Sequence, residues 1–264
     1  MKLIIYSSDD LAGANIAETM ISTYGFEESE EGIYSKDDIL LFQVEGSVKD
    51  LTTLPYSPEY CVVASRHKAE SGNKTLTVHP TGNFGKAQMG GSDSRLQMTD
   101  SHVMRQAHML LHEKREKYAL EYNVTREVTH HGPTDLQFPL LYVEVGSTEA
   151  EWKDMKACTA VAETIYELVS NEICAKPSLI GFGGPHYAPN FNPLATDYAV
   201  GHIMPKYSES YMSKEIVLEL IGKTSPKPDY AAIDWKGLSG QAKKNLTSIL
   251  DEVGLRWEKT TNLK

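Results

Sequence analysis

The histidines of this sequence are concentrated where its short apolar runs end. Five of the nine histidines, together with one glutamate, occupy such positions, several of them beside glycine or proline turns. Imidazole acts at neutral pH as a general base, a general acid or a metal ligand, and a carboxylate supports each of these roles. These residues are therefore the first candidates for chemistry: His67, His79, His130, His131, His186 and Glu144.

The position of these residues matters more than their type. Ligands of parallel α/β sheets bind beyond the carboxyl ends of the strands, and each candidate closes or follows an apolar run. A single loop histidine is usually only a solvated polar residue, but five in equivalent positions predict that at least three converge on one cleft. The runs are residues 60–64, 76–78, 140–145 and 179–182, and Val128-Thr129 precedes the pair His130 and His131.

Two histidine pairs carry a weaker signal. Neighbours on a strand point to opposite faces, so we expect only one of His130 and His131 to face the cleft. His108 and His112 are four residues apart and share a predicted helix face, but the glutamate of the metalloprotease motif is missing between them. We expect this second pair to flank the apolar stripe of an amphipathic helix.

Signatures of covalent catalysis and of nucleotide binding are missing. The sequence has no Gly-x-Ser-x-Gly motif. Residues 82–86 lack the length and the Ser/Thr of a phosphate-binding loop, and Pro185 follows the glycines at 181–184 where a dinucleotide-binding helix would have to begin. Cys61 lies in a predicted strand and reads as a core thiol. Direct attack by an activated water is therefore favoured.

The composition is that of a globular protein. The chain has 264 residues, of which 41% are hydrophobic and 23% charged, and we predict a single α/β domain over residues 1–264. Three scattered cysteines without a Cys-x-x-Cys pair favour reduced thiols and a cytoplasmic location. No apolar run approaches the roughly 18 residues of a membrane helix, and the N-terminal run is too short for a signal peptide.

The net charge of −10 is concentrated near the N-terminus. Residues 1–60 hold 3 Lys/Arg against 12 Asp/Glu, whereas the remainder holds 23 against 24. This distribution excludes a uniformly basic nucleic-acid-binding coat but not a local face of histidine, lysine and arginine. We therefore predict that the acidic residues at 27–31 and 37–38 face away from the cleft.

Strand-like and helix-like segments alternate along the chain, which predicts a doubly wound, mostly parallel α/β sheet. Further strands are expected at residues 3–6, 39–44 and 230–233. Helices are expected from a cap at Ser8 or Asp9 to residue 23, and over residues 102–120 and 241–253. Another is expected over residues 148–173, opened by the capping-box pattern Thr148-x-x-Glu151.

Aromatic and basic residues near the same loops could contact a single-stranded RNA end. Aromatic rings stack on unpaired bases, and Phe84, Tyr187 and Phe191 lie close to the candidate histidines in the sequence. Lysine and arginine contact phosphates. The basic candidates are Arg66, Lys68, Lys86, Lys206 and Lys236.

Taken together, these residues resemble the archaeal- and plant-type D-aminoacyl-tRNA deacylases, and the likeness covers nearly the whole chain. The strongest block is Glu-Val-Thr-His-His-Gly-Pro-Thr at residues 127–134, followed by Glu-Val-Gly-Ser at 144–147. Gly-x-Gly-Gly-x-His-Tyr-x-Pro-x-Phe at 181–191 is the other specific block. Weaker blocks lie at residues 10–16, 65–67, 79–83, 101–102, 201–202 and 233–237.

The resemblance implies hydrolysis of the ester that joins a D-amino acid to the 3′ end of tRNA, a fold like that of peptidyl-tRNA hydrolase, and an association with Zn²⁺. The expected partner is the acceptor end of aminoacylated tRNA, with no membrane contact, and we expect a monomer. The catalytic candidates are His79, Asn83, His131 and His186, with Asn83 or the Gly183 and Gly184 amides stabilising an oxyanion. The candidate metal ligands are His130, His131, Glu144 and His186. The candidate substrate contacts are Arg66, His67, Phe84, Gly183, Gly184, Tyr187, Phe191 and Lys206.

Two other hypotheses remain open at this point. A zinc-dependent hydrolase or phosphorylase of a small nucleoside-like substrate could use the same histidines on a similar sheet. Its binding should be nearly independent of salt, whereas tRNA binding weakens steeply as salt rises. A non-catalytic RNA-binding module would keep its function when the cleft histidines are replaced.

Overall fold

Short strands form the framework of the protein. The structure is a computed structural model that describes residues 1–263. The central strands are rich in valine, isoleucine and leucine, which suit a pleated surface that is buried on both faces. The strands are β1 (Lys2–Ser7), β2 (Glu27–Glu30), β3 (Ile33–Lys36), β4 (Ile39–Val44), β5 (Cys61–Lys68), β6 (Thr75–His79), β7 (Thr99–Asp100), β8 (Asn123–Arg126), β9 (Leu140–Ser147), β10 (Ser178–Phe182), β11 (Ala199–Met204), β12 (Thr224–Ser225), β13 (Tyr230–Ile233) and β14 (Trp257–Lys259).

Eight of these strands form the larger sheet, in the order β2-β3-β4-β1-β5-β9-β6-β8. β1 is parallel to both β4 and β5, β5 is parallel to β9, and β6 is parallel to β8. β6 is antiparallel to β9, and β2 and β3 form an antiparallel edge on β4. The acidic strand β2 therefore lies at the edge opposite β8.

A second sheet has four strands in the order β11-β10-β13-β14 and is parallel throughout. β7 and β12 form a separate parallel pair. The sequence predicts β10 and β13 as strands but not their membership of a second sheet, because an apolar run does not specify which strand it pairs with.

The helices begin after side chains that accept backbone hydrogen bonds. Asp10 accepts from Gly13 N at the start of the first helix, and Thr148 and Glu151 form the predicted capping box. The long helix expected after Thr148 is two helices, because Asp154 caps a second one. The helices are α1 (Leu11–Tyr24), α2 (Ser101–Lys117), α3 (Glu149–Trp152), α4 (Met155–Ser170), α5 (Lys214–Gly222) and α6 (Gly240–Val253).

The two faces of the larger sheet are covered differently. On β1, Ile4 and Tyr6 belong to the core that α1, α2 and α4 cover. Leu3 and Ile5 point to the other face, where apolar residues of the loops at 48–56 and 136–138 cover them. The smaller sheet packs against α5 and α6 in a core of its own.

Residues 127–131, which follow β8, join the two sheets. Val128 N donates a hydrogen bond of 2.9 Å to the His186 carbonyl, beyond the end of β10. On the other side, Gly82 N, which follows β6, donates one of 2.7 Å to the His131 carbonyl. Backbone bonds on both sides therefore fix the position of this segment.

The α/β class and the mostly parallel main sheet are confirmed. Each predicted strand is present, and β5 extends further than expected because it pairs with β9 through Lys68. The sequence did not predict α5 or the polar edge strands β2 and β3. Within residues 1–263, no helix combines the length and the apolar character that spanning a membrane requires.

Gly13 allows α1 to pack closely against β5. A Cβ atom at this position would lie 2.6 Å from the Ala64 carbonyl oxygen. We expect Gly13→Ala to lower the free energy of unfolding by about 1–3 kcal/mol, because backbone must move to relieve the overlap. Gly222→Ala is the control: its Cβ would meet no atom within 4 Å, and we expect no loss and a gain below about 1 kcal/mol. Urea unfolding measures both variants, and equal values would contradict the close contact.

Candidate active site

Three adjacent strands bring one carboxylate between two imidazoles. β9 lies between β5 and β6, so Glu144 lies between His67 and His79. Glu144 Oε2 is 3.6 Å from His67 Nδ1 and 3.5 Å from His79 Nε2, and it accepts a hydrogen bond of 3.1 Å from Thr77 Oγ1. His67 lies within β5 rather than in a loop beyond it, so its side chain is held by the sheet.

Glu127 is the second carboxylate of the cluster and is completely buried. Its Oε1 atom is 3.0 Å from His67 Nδ1, and its Oε2 atom is 2.8 Å from His186 Nε2 and 3.5 Å from His130 Nε2. Neither oxygen nevertheless has a hydrogen-bond donor in line with it among the described residues. A buried carboxylate without aligned donors is costly, and a cation would satisfy it.

Both members of the adjacent histidine pair face the cluster, so the expectation that only one does is wrong. The pair lies outside the strands, and His131 has the left-handed backbone angle φ of 41°, which turns the chain. The ring centroids of His130 and His131 are 4.5 Å apart, and they lie 4.2 Å and 4.9 Å from the ring of His79.

The tautomers of these three histidines follow from their hydrogen bonds. In each ring Nδ1 faces a backbone carbonyl: Pro80 O at 3.2 Å from His79, Val128 O at 2.8 Å from His130 and Gly132 O at 2.6 Å from His131. A carbonyl only accepts, so Nδ1 carries the proton and a neutral ring keeps its lone pair on Nε2. This arrangement is typical of histidines that bind metals.

Burial and the neighbouring carboxylates set opposite protonation states within the cluster. Burial lowers the pKa of His67, but Glu127 and Glu144 outweigh it and raise the value to about 11. Burial raises the pKa of Glu144, but His79 and His67 bring it to about 2. Burial lowers the pKa of His130 to about 3, and His79 reinforces the effect. The carboxylates are therefore ionised at neutral pH, His67 is protonated, and His130 is neutral.

The cluster forms the shared wall of a cleft with two lobes. The first lobe has a volume of about 440 Å³ and the second about 350 Å³. Met89, His130, His131 and His186 line both. The first lobe is lined by several charged residues, among them Asp9, Asp10, Lys49, Arg66, Lys68 and Glu144. The second lobe includes Asn83, Phe84, Lys86, Gln88, Tyr207 and Tyr211.

The stacking platforms predicted from the sequence are mostly wrong. Phe191 is 0% exposed and Phe84 is 4% exposed, because both rings pack in hydrophobic cores. Tyr187 directs its hydroxyl to His67 Nε2, at 3.0 Å, so it supports the cluster. His67 itself, expected to bind substrate, is buried between Glu127 and Glu144 and contacts both carboxylates.

Two of the three predicted oxyanion donors, Asn83 and Gly183, have other partners. Asn83 Nδ2 donates to the carbonyls of Gly90 and Ser92, at 3.0 Å and 3.2 Å, which closes a loop. Gly183 N donates to Met204 O at 2.8 Å, and neither Gly183 nor Gly184 lines either lobe. The side-chain amide of Asn83 and the backbone amide of Gly183 are therefore already used, which the sequence does not show.

Three of the five basic candidates, Arg66, Lys68 and Lys86, line the cleft, whereas Lys206 and Lys236 do not. Arg66 lines the first lobe, with its guanidinium 5.1 Å from the centre of the Trp152 ring. Lys206 is exposed and directly precedes Tyr207, but it lines neither lobe. The acidic residues at 27–31 and 37–38 line neither lobe, in agreement with the predicted orientation.

His108 and His112 take no part in the cluster. His108 is buried in α2, and its ring is 4.8 Å from that of His112. Neither belongs to any of the groups of potential metal ligands among the described residues. The expectation that they flank the apolar stripe of a helix is confirmed.

Sequence reasoning assigned no role to Glu127 or to a network that positions the segment beside it. Thr129 Oγ1 accepts from Ile203 N at 3.1 Å and donates to His202 Nδ1 at 3.0 Å. His202 Nε2 donates to Gln97 O at 2.9 Å. The network holds the backbone next to His130. The sequence did contain a signal for Glu127, because the block at residues 127–134, the strongest part of the family resemblance, begins with this residue.

Three groups of side chains are close enough to hold a cation. They are His79 with His130 and His131, His67 with Glu127 and His186, and His79 with Glu127 and Glu144. Within each group one ligand atom per residue lies within 4.8 Å of the others. Imidazole nitrogen and carboxylate oxygen are ligands that zinc accepts.

Comparison with known proteins links this site to one family. The family described as D-aminoacyl-tRNA deacylase matches residues 54–258, which contain every residue of the cluster. A D-aminoacyl-tRNA deacylase of Thermococcus kodakarensis is 34% identical over 275 residues, and that of Thermococcus onnurineus is 35% identical over 273. Each alignment covers 97% of this chain and 99% of the relative.

A solved structure has the same fold. The crystal structure of a conserved protein of unknown function superimposes with a TM-score of 0.93 at 29% sequence identity. The superposition covers 100% of this chain and 96% of the other. The arrangement of two sheets is therefore shared with an experimentally determined structure.

His202 should make stability depend on pH through its neutral ring. Burial lowers the pKa of His202 from 6.5 to about 4. A histidine held neutral stabilises the fold above its unfolded pKa, and that contribution is lost as pH falls from about 6.5 to 4, by up to about 1.4 kcal/mol per pH unit. We therefore expect His202→Gln to be more destabilising at pH 7.5 than at pH 4.5. Urea unfolding at both pH values measures the difference, with His102→Gln as the control. A penalty that is the same at both pH values would contradict the assignment.

Proposed function

The chain belongs to the D-aminoacyl-tRNA deacylase family, and we propose that its two-lobed cleft is where it hydrolyses the ester bond of D-aminoacyl-tRNA, releasing D-amino acid and tRNA. The observation that supports this site is the convergence of five imidazoles and two buried carboxylates on one cleft. Such a cluster suits activation of water. Ser65, which lines the first lobe, donates to Asp10 Oδ2 at 2.7 Å and not to an imidazole.

We propose Zn²⁺ as the cofactor, because the donor set fits it. His79, His130 and His131 each present Nε2 while a carbonyl holds Nδ1, and His79 Nε2 is buried without a hydrogen-bond partner among residues 1–263. These three residues would hold the ion. When bound, zinc would polarise the ester carbonyl or lower the pKa of a water molecule.

His186 is the residue best placed to accept a proton. Its side chain is 37% exposed, whereas the other imidazoles of the cluster are 17% exposed or less, and it lies at the junction of the two lobes. Glu127 Oε2 lies 2.8 Å from its Nε2 atom. The opposite nitrogen of the ring can then take a proton from water, and Glu127 stabilises the imidazolium that forms.

Lys49 is the cation that we propose for the developing negative charge on the ester oxygen. It lines the first lobe. Burial lowers the pKa of His131 most strongly, and the charge of Lys49 adds to that effect. The amides of Asn83 and Gly183 are already hydrogen-bonded, and Gly184 lines neither lobe. A cation aimed at the developing charge is an effective catalytic element.

Selection of the D-amino acid would depend on the shape of the cleft, because a clash with the L side chain is an efficient discriminator. The substrate implies a cytoplasmic location, where aminoacyl-tRNA is made and used. One chain supplies every residue of the cluster, and we propose that the monomer is active. The nucleoside-like alternative substrate finds no support among the named relatives.

The first test is turnover of D-aminoacyl-tRNA against its L counterpart by the purified protein. We expect release of the D-amino acid at a rate well above that of the L form. Binding of the tRNA should weaken steeply as salt rises, because phosphate contacts release counterions. Equal rates on the two substrates, or no turnover of the D form, would contradict the function.

The second test addresses the base. We expect His186→Ala to lower kcat by roughly 10²- to 10⁴-fold, the range typical of a general acid–base residue. The melting temperature should stay nearly unchanged, because His186 is the most exposed imidazole of the cluster. His102→Ala, which changes a partly exposed histidine in α2, is the control and should retain full activity. Unchanged kcat in His186→Ala would exclude the assigned role.

The third test addresses the metal. Protein purified without an affinity tag should contain zinc by elemental analysis, and a chelator should remove it together with activity. Since an ion that binds only the folded state stabilises it, added zinc should raise the melting temperature of the chelator-treated protein. His131→Ala should abolish this rise, and His102→Ala should keep it. A rise that is equal in both variants would place the ion elsewhere.

A further inference from the structure

The two lobes of the cleft meet at the histidine cluster, as the two halves of the substrate meet at its ester. On one side of the reacting carbonyl is an amino acid, and on the other is the 3′-terminal nucleoside of the tRNA. Since His130, His131 and His186 line both lobes, an ester placed over them would direct one half into each lobe. The chemistry of each lobe decides which half it holds.

The second lobe carries exposed aromatic rings. Tyr207 is 61% exposed and Tyr211 is 49% exposed, and both lie in the short 3₁₀ segment Lys206–Tyr211. Gly85 supports the Tyr211 ring closely, since a Cβ atom there would lie 2.4 Å from it. One side of this ring is thus packed while the residue remains half exposed, as a platform for a base requires.

The first lobe has no such platform. Its aromatic ring, Tyr142, is 1% exposed. It offers instead the carboxylate of Asp9, which is exposed and has neither a hydrogen-bond nor an ion-pair partner among the described residues. Asp10 beside it is occupied, since it accepts from Gly13 N, Ser65 Oγ and Arg66 N. A free carboxylate suits the α-ammonium group of an amino acid.

We infer that the 3′-terminal nucleoside of the tRNA stacks on Tyr207 and Tyr211 in the second lobe, and that the aminoacyl group enters the first lobe with its ammonium group at Asp9. This inference rests on the proposed function, because it takes the ester to lie over the shared histidines. Two lysines support the same direction of approach. Lys86 lines the second lobe and Lys206 precedes Tyr207, and both are exposed where the phosphates of the preceding nucleotides would follow.

The stacking is tested with deacylated tRNA whose terminal adenine is replaced by 2-aminopurine, so that no turnover is needed. We expect the full-length protein to quench its fluorescence on binding. Loss of one stacking contact between a base and an aromatic side chain weakens binding by roughly 5- to 150-fold. We expect a loss of this size for Tyr207→Ala and for Tyr211→Ala. Tyr211→Phe should retain quenching, because the ring and not the hydroxyl supports the base. Leu218→Ala, at a residue 48% exposed on α5, is the control.

The position of the amino acid is tested with Asp9→Asn. We expect this variant to raise KM for D-aminoacyl-tRNA several-fold while its affinity for the deacylated 2-aminopurine tRNA stays at the wild-type value. Variants at Tyr207 and Tyr211 should weaken both. This split separates loss of the ammonium contact from a general loss of tRNA binding.

The outcomes that would overturn the inference are distinct from failure of the proposed function. Absence of quenching by the wild type, or quenching that survives both tyrosine-to-alanine substitutions, would exclude stacking in the second lobe. Loss of quenching in Arg66→Ala but not in the tyrosine variants would place the nucleoside in the first lobe. Absence of D-aminoacyl-tRNA turnover would refute the proposed function, whereas the binding assay would still report where the terminal base lies.

Discussion

The burial of two carboxylates, Glu127 after β8 and Glu144 within β9, is the constraint on which the site depends. Moving an ionised carboxylate from water into the protein interior costs roughly several kcal/mol, unless nearby opposite charges and hydrogen bonds compensate for the lost hydration. Glu127 and Glu144 are both buried, and the imidazoles of His67 and His79 lie against them. The raised pKa values of these two imidazoles and the lowered ones of the carboxylates describe the same interaction from its two sides.

The fold satisfies this constraint by combining segments that are far apart in the sequence. Neighbouring strands of the larger sheet provide His67, Glu144 and His79, and the loop after β10 provides His186. Residues 127–131 complete the cluster. In the turn after them, the backbone of Gly132 packs closely against the backbone of Lys49, since a Cβ atom at Gly132 would lie 2.2 Å from Lys49 O. The site is therefore a product of the docking of two sheets.

The sequence was most informative where residue type and position coincided. The prediction that histidines near the ends of apolar runs converge needed only residue type and position, but the physical reason differs from the expected one. β6 runs antiparallel to β9, so His79 pairs with Tyr142 while His67 pairs with Gly146, and both side chains approach Glu144 on one face of the sheet. His130 and His131 were misjudged because strand alternation was assumed where the backbone turns at His131. Phe84 and Phe191 were misjudged because an aromatic residue near a glycine loop has the same sequence signature whether it faces solvent or the core. Tyr207 and Tyr211 could not have been singled out, since only the tertiary fold brings their segment beside residues 83–86.

The backbone bonds that tie residues 127–131 to both sheets have a consequence for partially folded molecules. If the smaller sheet separated from the larger one, the hydrogen bond from Val128 N to His186 O would break. Glu127, His130 and His131 would then lose their positions together with His186. Local opening of this kind is cooperative, so these four residues would lose their positions together, and the part of the cluster left on the larger sheet, His67, His79 and Glu144, would be incomplete. Heating or a destabilising substitution elsewhere would therefore reduce the number of competent molecules, and each remaining molecule would work at its full rate.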